Sequence, residues 1–140
     1  QKHLARMMRM IALADIVKLS DEDLAWFAEP GEEHAVIRRW LALGPKLIVV
    51  TRGADGADAW TANFHLHVPG IRVTVADTVG AGDTVNAGIL ASLSQAGLLE
   101  KPKLVTLSRE QVRRAVDLGM RAAAVTVSRP GANPPWDHEL

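Results

Sequence analysis

Two hydrophobic periods alternate along this chain. From Gln1 to Ala14, Met and Leu recur among Lys and Arg at the spacing of an amphipathic helix. Asp15-Ile16-Val17-Lys18-Leu19 is short, β-branched and apolar, which predicts a buried strand. Ser20 then has the character of an N-cap. Asp21, Glu22 and Asp23 follow it in a first turn, where the helix dipole favours acids. That helix is predicted to reach Ala28 and to break at Pro30-Gly31. A second, from Glu32 to Leu43, stops at Gly44-Pro45. The run Leu47-Ile48-Val49-Val50-Thr51 is apolar throughout and bounded by breakers, as a central parallel strand would be. Arg52 to Gly56 reads as a turn.

Ala57–Thr61 and Phe64–Val68 predict a hairpin around Ala62-Asn63. Arg72 to Ala76 alternates and leads into a glycine-rich turn. From Ala81 to about Ala96, Val85, Ile89 and Leu93 form one helical stripe, with Gly97 as the residue that ends it. Lys101 to Leu107 reads as a loop. Ser108 and Gln111 predict a capping box that opens a helix to about Val127, and Arg129 to Pro135 ends regular structure. Strands alternating with helices imply an α/β layer fold.

Composition narrows this picture. The chain has 140 residues, 48% of them hydrophobic, enough for one packed core. Sixteen basic and sixteen acidic side chains balance, so no basic excess speaks for nucleic acid or an acidic membrane surface. There is no cysteine, which excludes disulfide and thiolate chemistry, and a cytoplasmic protein is the expectation. No apolar run approaches the roughly 20 residues of a membrane span.

The chemistry concentrates in Asp77-Thr78-Val79-Gly80-Ala81-Gly82-Asp83-Thr84. Small residues open a helix whose first N–H groups have no intrahelical partner, so an anion can rest on them. Gly80 and Gly82 are free to take conformations that a side chain would forbid, and Ala81 adds almost no bulk. Asp83 falls in the first turn, where a negative charge is favoured, which suits a base that takes a proton from an attacking alcohol. Anion site and base within four residues suggest phosphoryl transfer. By itself, Gly-Ala-Gly-Asp is as readily the start of an ordinary helix; the longer context decides.

That context, Asp77-Thr78-x-Gly80-Ala81-Gly82-Asp83-x-x-Asn86-Ala87-Gly88, resembles the C-terminal signature of the PfkB (ribokinase-like) family of carbohydrate kinases. Lys18-Leu19-Ser20-Asp21-Glu22-Asp23 resembles the family's Lys-x-Asn-x-x-Glu segment near magnesium and the phosphates, with Ser20 for Asn and Asp23 for Glu. Thr51-Arg52-Gly53-Ala54-Asp55-Gly56 resembles its Thr-x-Gly-x-x-Gly turn beside the ATP phosphates. Ser128 to Ala132 resembles its Gly-Ala turn beside the adenine.

The resemblance implies a three-layer ribokinase-like α/β fold with a mainly parallel sheet and helices on both faces. It covers only the C-terminal portion of that fold. It implies transfer of the ATP γ-phosphoryl to a sugar hydroxyl, with Asp83 as base and Gly80, Ala81 and Gly82 in the anion hole. Thr51, Gly53, Gly56, Gly131 and Ala132 would contact nucleotide, and Asp23 is the candidate for magnesium. Main chain near Asp77, Val79 and Gly131 is the candidate for potassium, although Asp77 serves equally as a cap for the turn. Val79 in the motif looks more like bacterial fructokinases, so fructose is the expected sugar; ribose, 2-keto-3-deoxygluconate and nucleosides are the alternatives. The N-terminal portion, with most of the sugar contacts and the lid, is not in this sequence. Its absence would expose sheet edge and apolar surface, which favours a homo-oligomer or association with that missing portion. A non-catalytic nucleotide-binding fragment is the reading from a different class.

Other residues read more plainly. His65-x-His67 suggests a solvated strand edge. Trp26, Trp40, Trp60 and Trp136 suggest core or packing anchors. Arg52 is expected near phosphate or solvent.

Overall fold

The structure, a computed structural model, describes residues 2–140. The elements are α1 (Lys2–Leu13), β1 (Ile16–Ser20), α2 (Asp21–Leu24), α3 (Glu33–Leu43), β2 (Leu47–Thr51), β3 (Ala57–Trp60), β4 (His65–Val68), α4 (Ala81–Gln95), α5 (Lys101–Leu104) and α6 (Arg109–Val127). The four strands form one sheet in the order β1-β2-β3-β4. β1 lies parallel to β2, with Lys18 opposite Val49. β3 and β4 then add antiparallel to β2 and to each other, because each of the two connections is a short turn and a parallel pair would need a long crossover. Within this length of chain the sheet is therefore mixed: its parallel part is the β1–β2 pair.

The run Leu47–Val50 is apolar throughout because β2 is covered on both faces. Leu47 and Val49 face α4 and α6, in a core with Val85, Ile89, Val112 and Val116. Ile48 and Val50 face the other way, against Leu24, Ile37 and Trp40. The expected three layers follow from this alternation, with α1–α3 on one side of the sheet and α4 and α6 on the other. Helices α4 and α6 meet at two glycines. A Cβ on Gly88 would lie 2.6 Å from Gly119 Cα, and one on Gly119 would lie 2.6 Å from the Val85 carbonyl oxygen.

Several elements differ from the sequence expectation. Regular helix α2 ends at Leu24 rather than Ala28. The chain tightens there, with Phe27 N–H donating to the Leu24 carbonyl at 2.9 Å, and this turns the Phe27 ring edge-on to Trp40. Lys101–Leu104 is a short helix, not a loop, since Pro102 sits at its start where a missing N–H costs nothing. The segment that leads into the glycine turn, left without an element in the sequence, is tied to α6: Ala76 and Asp77 both donate to the Val127 carbonyl at its end (2.7 and 3.2 Å). Trp40 and Trp60 are buried, but Trp26 and Trp136 are 87% and 73% exposed, so only the first two anchor a core. Among the described residues, no helix is long and apolar enough to cross a membrane.

Candidate functional site

The start of α4 is built as an open anion site. Gly80 has φ 80°, a left-handed conformation, and the Ala132 Cβ would stand 3.1 Å from any side chain placed there. The left-handed backbone favours glycine, and the close approach adds to the cost of a side chain. Its carbonyl accepts from Thr84 N–H (2.9 Å) and Thr84 Oγ1 (2.8 Å), which fixes the turn. Thr126 on α6, fully buried, places its hydroxyl 3.1 Å from Thr84 Oγ1. These two threonines support the turn from inside the core. The sequence signals them only as polar positions on otherwise apolar helix faces. Ala81 N–H reaches the Thr78 carbonyl at 3.3 Å, whereas Gly82 N–H and Asp83 N–H have no acceptor among the described residues. No side chain caps the helix. The Asp83 carboxylate is exposed in the same turn.

Asp77 is the clip of this turn. Its Oδ1 accepts from Val79 N–H and its Oδ2 from Gly131 N–H, each at 3.0 Å. These two N–H groups hold its carboxyl below the usual carboxylate range. Of the two roles open in the sequence, capping is thus visible in the side chain. Asp77, Val79, Gly80, Gly131 and Ala132 form one unit that joins the glycine turn to the C-terminal turn.

Thr51 ends β2, and its Oγ1 lies 3.4 Å from the Leu19 carbonyl. The following turn, Gly53–Asp55, closes at Gly56, where φ is 98° and a Cβ would stand 2.1 Å from the Val68 carbonyl oxygen. Gly70 answers it: a Cβ there would lie 2.0 Å from the Ala54 carbonyl oxygen. Backbone therefore packs on backbone between this turn and the end of β4. The role of Gly70 has no local signal, since its partner is distant in sequence. Arg52 is partly exposed, and its charge is taken up by protein. Its guanidinium bonds Glu33 and Asp58, each at 2.7 Å, and both partners favour its charged form. Asp58 Oδ1 also lies 3.1 Å from His65 Nε2 and 3.0 Å from His67 Nδ1, on the exposed edge expected for those histidines.

An open groove of about 580 Å³ runs between these parts. Thr51 and Gly53 stand at one wall, Ala81 and Gly82 at another. Val73, Val75, Ala123 and Val127 supply apolar surface. Gly56, Gly131 and Ala132 support its walls rather than line it. Asp23 closes a capping box with Ser20: Asp23 N–H donates to Ser20 Oγ (3.0 Å), and Ser20 N–H approaches Asp23 Oδ2 (3.4 Å). No cluster of three or more His, Asp or Glu suited to a metal exists among the described residues. Lys18, half-buried on the α4 side of β1, points at the same helix start. Burial lowers its pKa, and the carboxylates of Asp23 and Asp83 oppose that shift. The arrangement offers an apolar slot that leads to unpaired N–H donors, a lysine and an exposed carboxylate. Those are the parts needed to hold a phosphorylated ligand and to take a proton beside it.

Comparison with known proteins identifies the family. The sequence model of one family, described as pfkB family carbohydrate kinase, matches residues 1–139. A fructokinase of Rhizobium leguminosarum bv. trifolii is 50% identical over 115 residues, which are 82% of this chain and 35% of that protein. The chain thus spans about a third of the length of that curated relative. The crystal structure of a fructokinase with bound ATP from Xylella fastidiosa superposes with a TM-score of 0.83 at 29% identity, over 91% of this chain and 41% of that one. A fructokinase double mutant from Vibrio cholerae O395, in a form with fructose, ADP and potassium ion bound, superposes with a TM-score of 0.75 at 30% identity. That match covers 91% of this chain and 39% of the Vibrio chain.

Proposed function

Because the chain belongs to the pfkB family of carbohydrate kinases, we propose that it is the C-terminal nucleotide-binding and catalytic-base portion of an ATP-dependent fructokinase. The observation that carries this is the start of α4. Free Gly82 and Asp83 N–H groups and the exposed Asp83 carboxylate share one turn, at the end of a groove with apolar walls. The similarity to fructokinases, one of them crystallised with ATP, supports both the nucleotide and the sugar.

In the reaction, the groove takes the nucleotide with its base against Val73, Val75 and Val127 and its phosphates toward Gly53 and Gly82. The sugar hydroxyl approaches Asp83, which accepts its proton. The hydroxyl oxygen bonds to the γ-phosphorus, and the bond to the bridging oxygen breaks with its electron pair left on ADP. The free backbone donors of Gly82 and Asp83 hold the negative charge on the phosphoryl oxygens. Magnesium, when bound, neutralises phosphate charge. With Asp23 engaged in a cap and no cluster of three or more metal-ligating side chains among the described residues, the residues present fit an ion that keeps most of its waters. For potassium, both Asp77 carboxylate oxygens are occupied by N–H groups. The main-chain carbonyls of Asp77 and Val79 are then the groups left to hold it, as the potassium-bound relative encourages. The remaining two thirds of a relative's length would complete the sugar site and cover the open edge of β1.

The test is release of ADP by the full-length protein with ATP, magnesium and a panel of fructose, ribose, 2-keto-3-deoxygluconate and adenosine. Turnover should be highest on fructose. Preference for another acceptor would replace the sugar and keep the reaction. ATP binding without turnover on any acceptor would reduce the protein to a nucleotide-binding module.

A further inference from the structure

Thr84 and Thr126 are the polar side chains buried among the described residues, and they face each other under the glycine turn. Thr84 lies in the first turn of α4 and Thr126 in the last turn of α6. Neither lines the groove. Thr84 Oγ1 stands 2.8 Å from the Gly80 carbonyl oxygen. Thr126 Oγ1 stands 3.1 Å from Thr84 Oγ1 and 3.1 Å from the Ala122 carbonyl oxygen. A hydroxyl carries one hydrogen, so two hydrogens must serve these three contacts. If each hydroxyl turned to its own carbonyl, the two oxygens would face each other with no hydrogen between them. Two orders avoid this. Thr126 donates to Thr84 and Thr84 to Gly80, or Thr84 donates to Thr126 and Thr126 to Ala122. The first order gives the Gly80 carbonyl a second donor beside Thr84 N–H. The second spends that hydrogen on Ala122, a carbonyl inside α6. Thr126 also stands beneath Gly80 itself, its Cγ2 4.0 Å from where a Cβ would be, and the next residue, Val127, holds Ala76 and Asp77. The turn therefore rests on the end of α6 from both sides.

We propose that Thr126 is a positioning residue for the transfer step: its hydroxyl turns the Thr84 hydroxyl onto the Gly80 carbonyl and so fixes the direction of the first turn of α4. This rests on the kinase reading and deepens it. The Gly80 carbonyl belongs to the peptide that opens the helix, one residue before the free N–H groups of Gly82 and Asp83. Gly80 has a backbone free to rotate, and a carbonyl held by two donors on one residue removes that freedom. Preorganised donors act most strongly on the charge that develops in transfer, because they need no rearrangement at that moment. A chain of hydrogen bonds in a dry core also polarises its members in one direction. Valine at 126 would keep the shape and remove the hydrogen. It would set a methyl group against Thr84 Oγ1 at the 3.1 Å that a hydrogen bond now spans, so the turn must shift.

In the full-length enzyme, assayed well below the melting temperature, Thr126→Val should lower kcat on fructose about 10-fold, part of the roughly 10²-fold that about 1 Å of misplacement costs. KM for ATP and affinity for ADP should stay near wild type, since the groove walls are untouched. Thr126→Ser keeps the hydroxyl and should return kcat close to wild type. Thr84→Val breaks the same chain at its other member and should give the same loss, and the double valine variant should be no slower than either single one. Binding of ADP with aluminium fluoride, a mimic of the phosphoryl group in flight, should weaken in parallel with kcat. Wild-type kcat in Thr126→Val would overturn the proposal. An equal loss in the serine variant, or a fall in kcat matched by a fall in ADP affinity, would overturn it too. So would losses that multiply in the double variant, because the two hydroxyls would then act apart. Should Thr126→Val fail to fold, Thr84→Val and Thr126→Ser decide between the same outcomes. In all these cases, wild-type turnover on a sugar leaves the kinase reading standing. A wild type that phosphorylates no acceptor would remove both.

Discussion

A single carboxylate, Asp77, shows how one side chain can hold a site without taking part in chemistry. Its two oxygens accept from Val79 and Gly131, which lie in turns more than fifty residues apart in sequence. Its charged form is favoured by those N–H groups, so its folded pKa lies below the unfolded value near 3.8. The sign follows: the clip is intact above about pH 4 and is lost as pH falls through the depressed pKa. Asp77→Ala should raise KM for ATP well before it lowers the melting temperature, because the side chain lies at the surface. Initial rates over an ATP series beside a thermal melt will check this. A fall in kcat at unchanged KM would count against the clip. The sequence showed that Asp77 belongs to the turn but left open whether it caps or places a cation. The Gly131 contact needs the fold to bring the two turns together. For Arg52 the sequence offered phosphate or solvent; the side chain keeps some exposure, and the fold adds Glu33 and Asp58 as partners that the sequence could not show.

Among the elements, the pair α4 and α6 positions the site. Gly88 and Gly119 let the two backbones approach, and Thr126 reaches across to Thr84 under the glycine turn. Gly119→Ala puts a methyl group 2.6 Å from the Val85 carbonyl oxygen, which is backbone and cannot swing away. The helices must separate, and overpacking of this kind costs about 1–3 kcal/mol. Urea unfolding should report that loss, and a variant as stable as wild type would show that the helices do not meet this closely. The sequence displayed both helices, their apolar stripes and the capping box at Ser108 and Gln111, which is present. It did not display their contact, because a glycine in a helix interior reads the same whether a neighbour or solvent lies above it. It also missed α5, whose four residues are too few to show a period. The alternating segment Arg72–Ala76 leads into the glycine turn, and the fold adds that it is held by the end of α6 and borders the groove.

For the molecule as a whole, the long-range order was legible where physics repeats along the chain. The run Leu47–Val50 revealed a strand covered on both faces, and the two cores on either side of the sheet confirm the layers. The hairpin was expected as an antiparallel addition, and it makes half of this four-stranded sheet. The candidate site was legible because its turn is compact, with anion donors and base in one stretch from Gly80 to Asp83. Its walls were less so, since Thr51, Val73 and Val127 converge only in three dimensions. The central claim is that Asp83 takes the proton of a sugar hydroxyl while the turn holds the phosphoryl charge. Its most direct test is Asp83→Asn in the full-length protein, assayed for ADP release on fructose beside a titration with ATP. Loss of a positioned base lowers rates by about 10²–10⁴-fold, so turnover should fall by that factor while ATP affinity holds. Near-normal turnover in the Asp83→Asn variant would contradict the account.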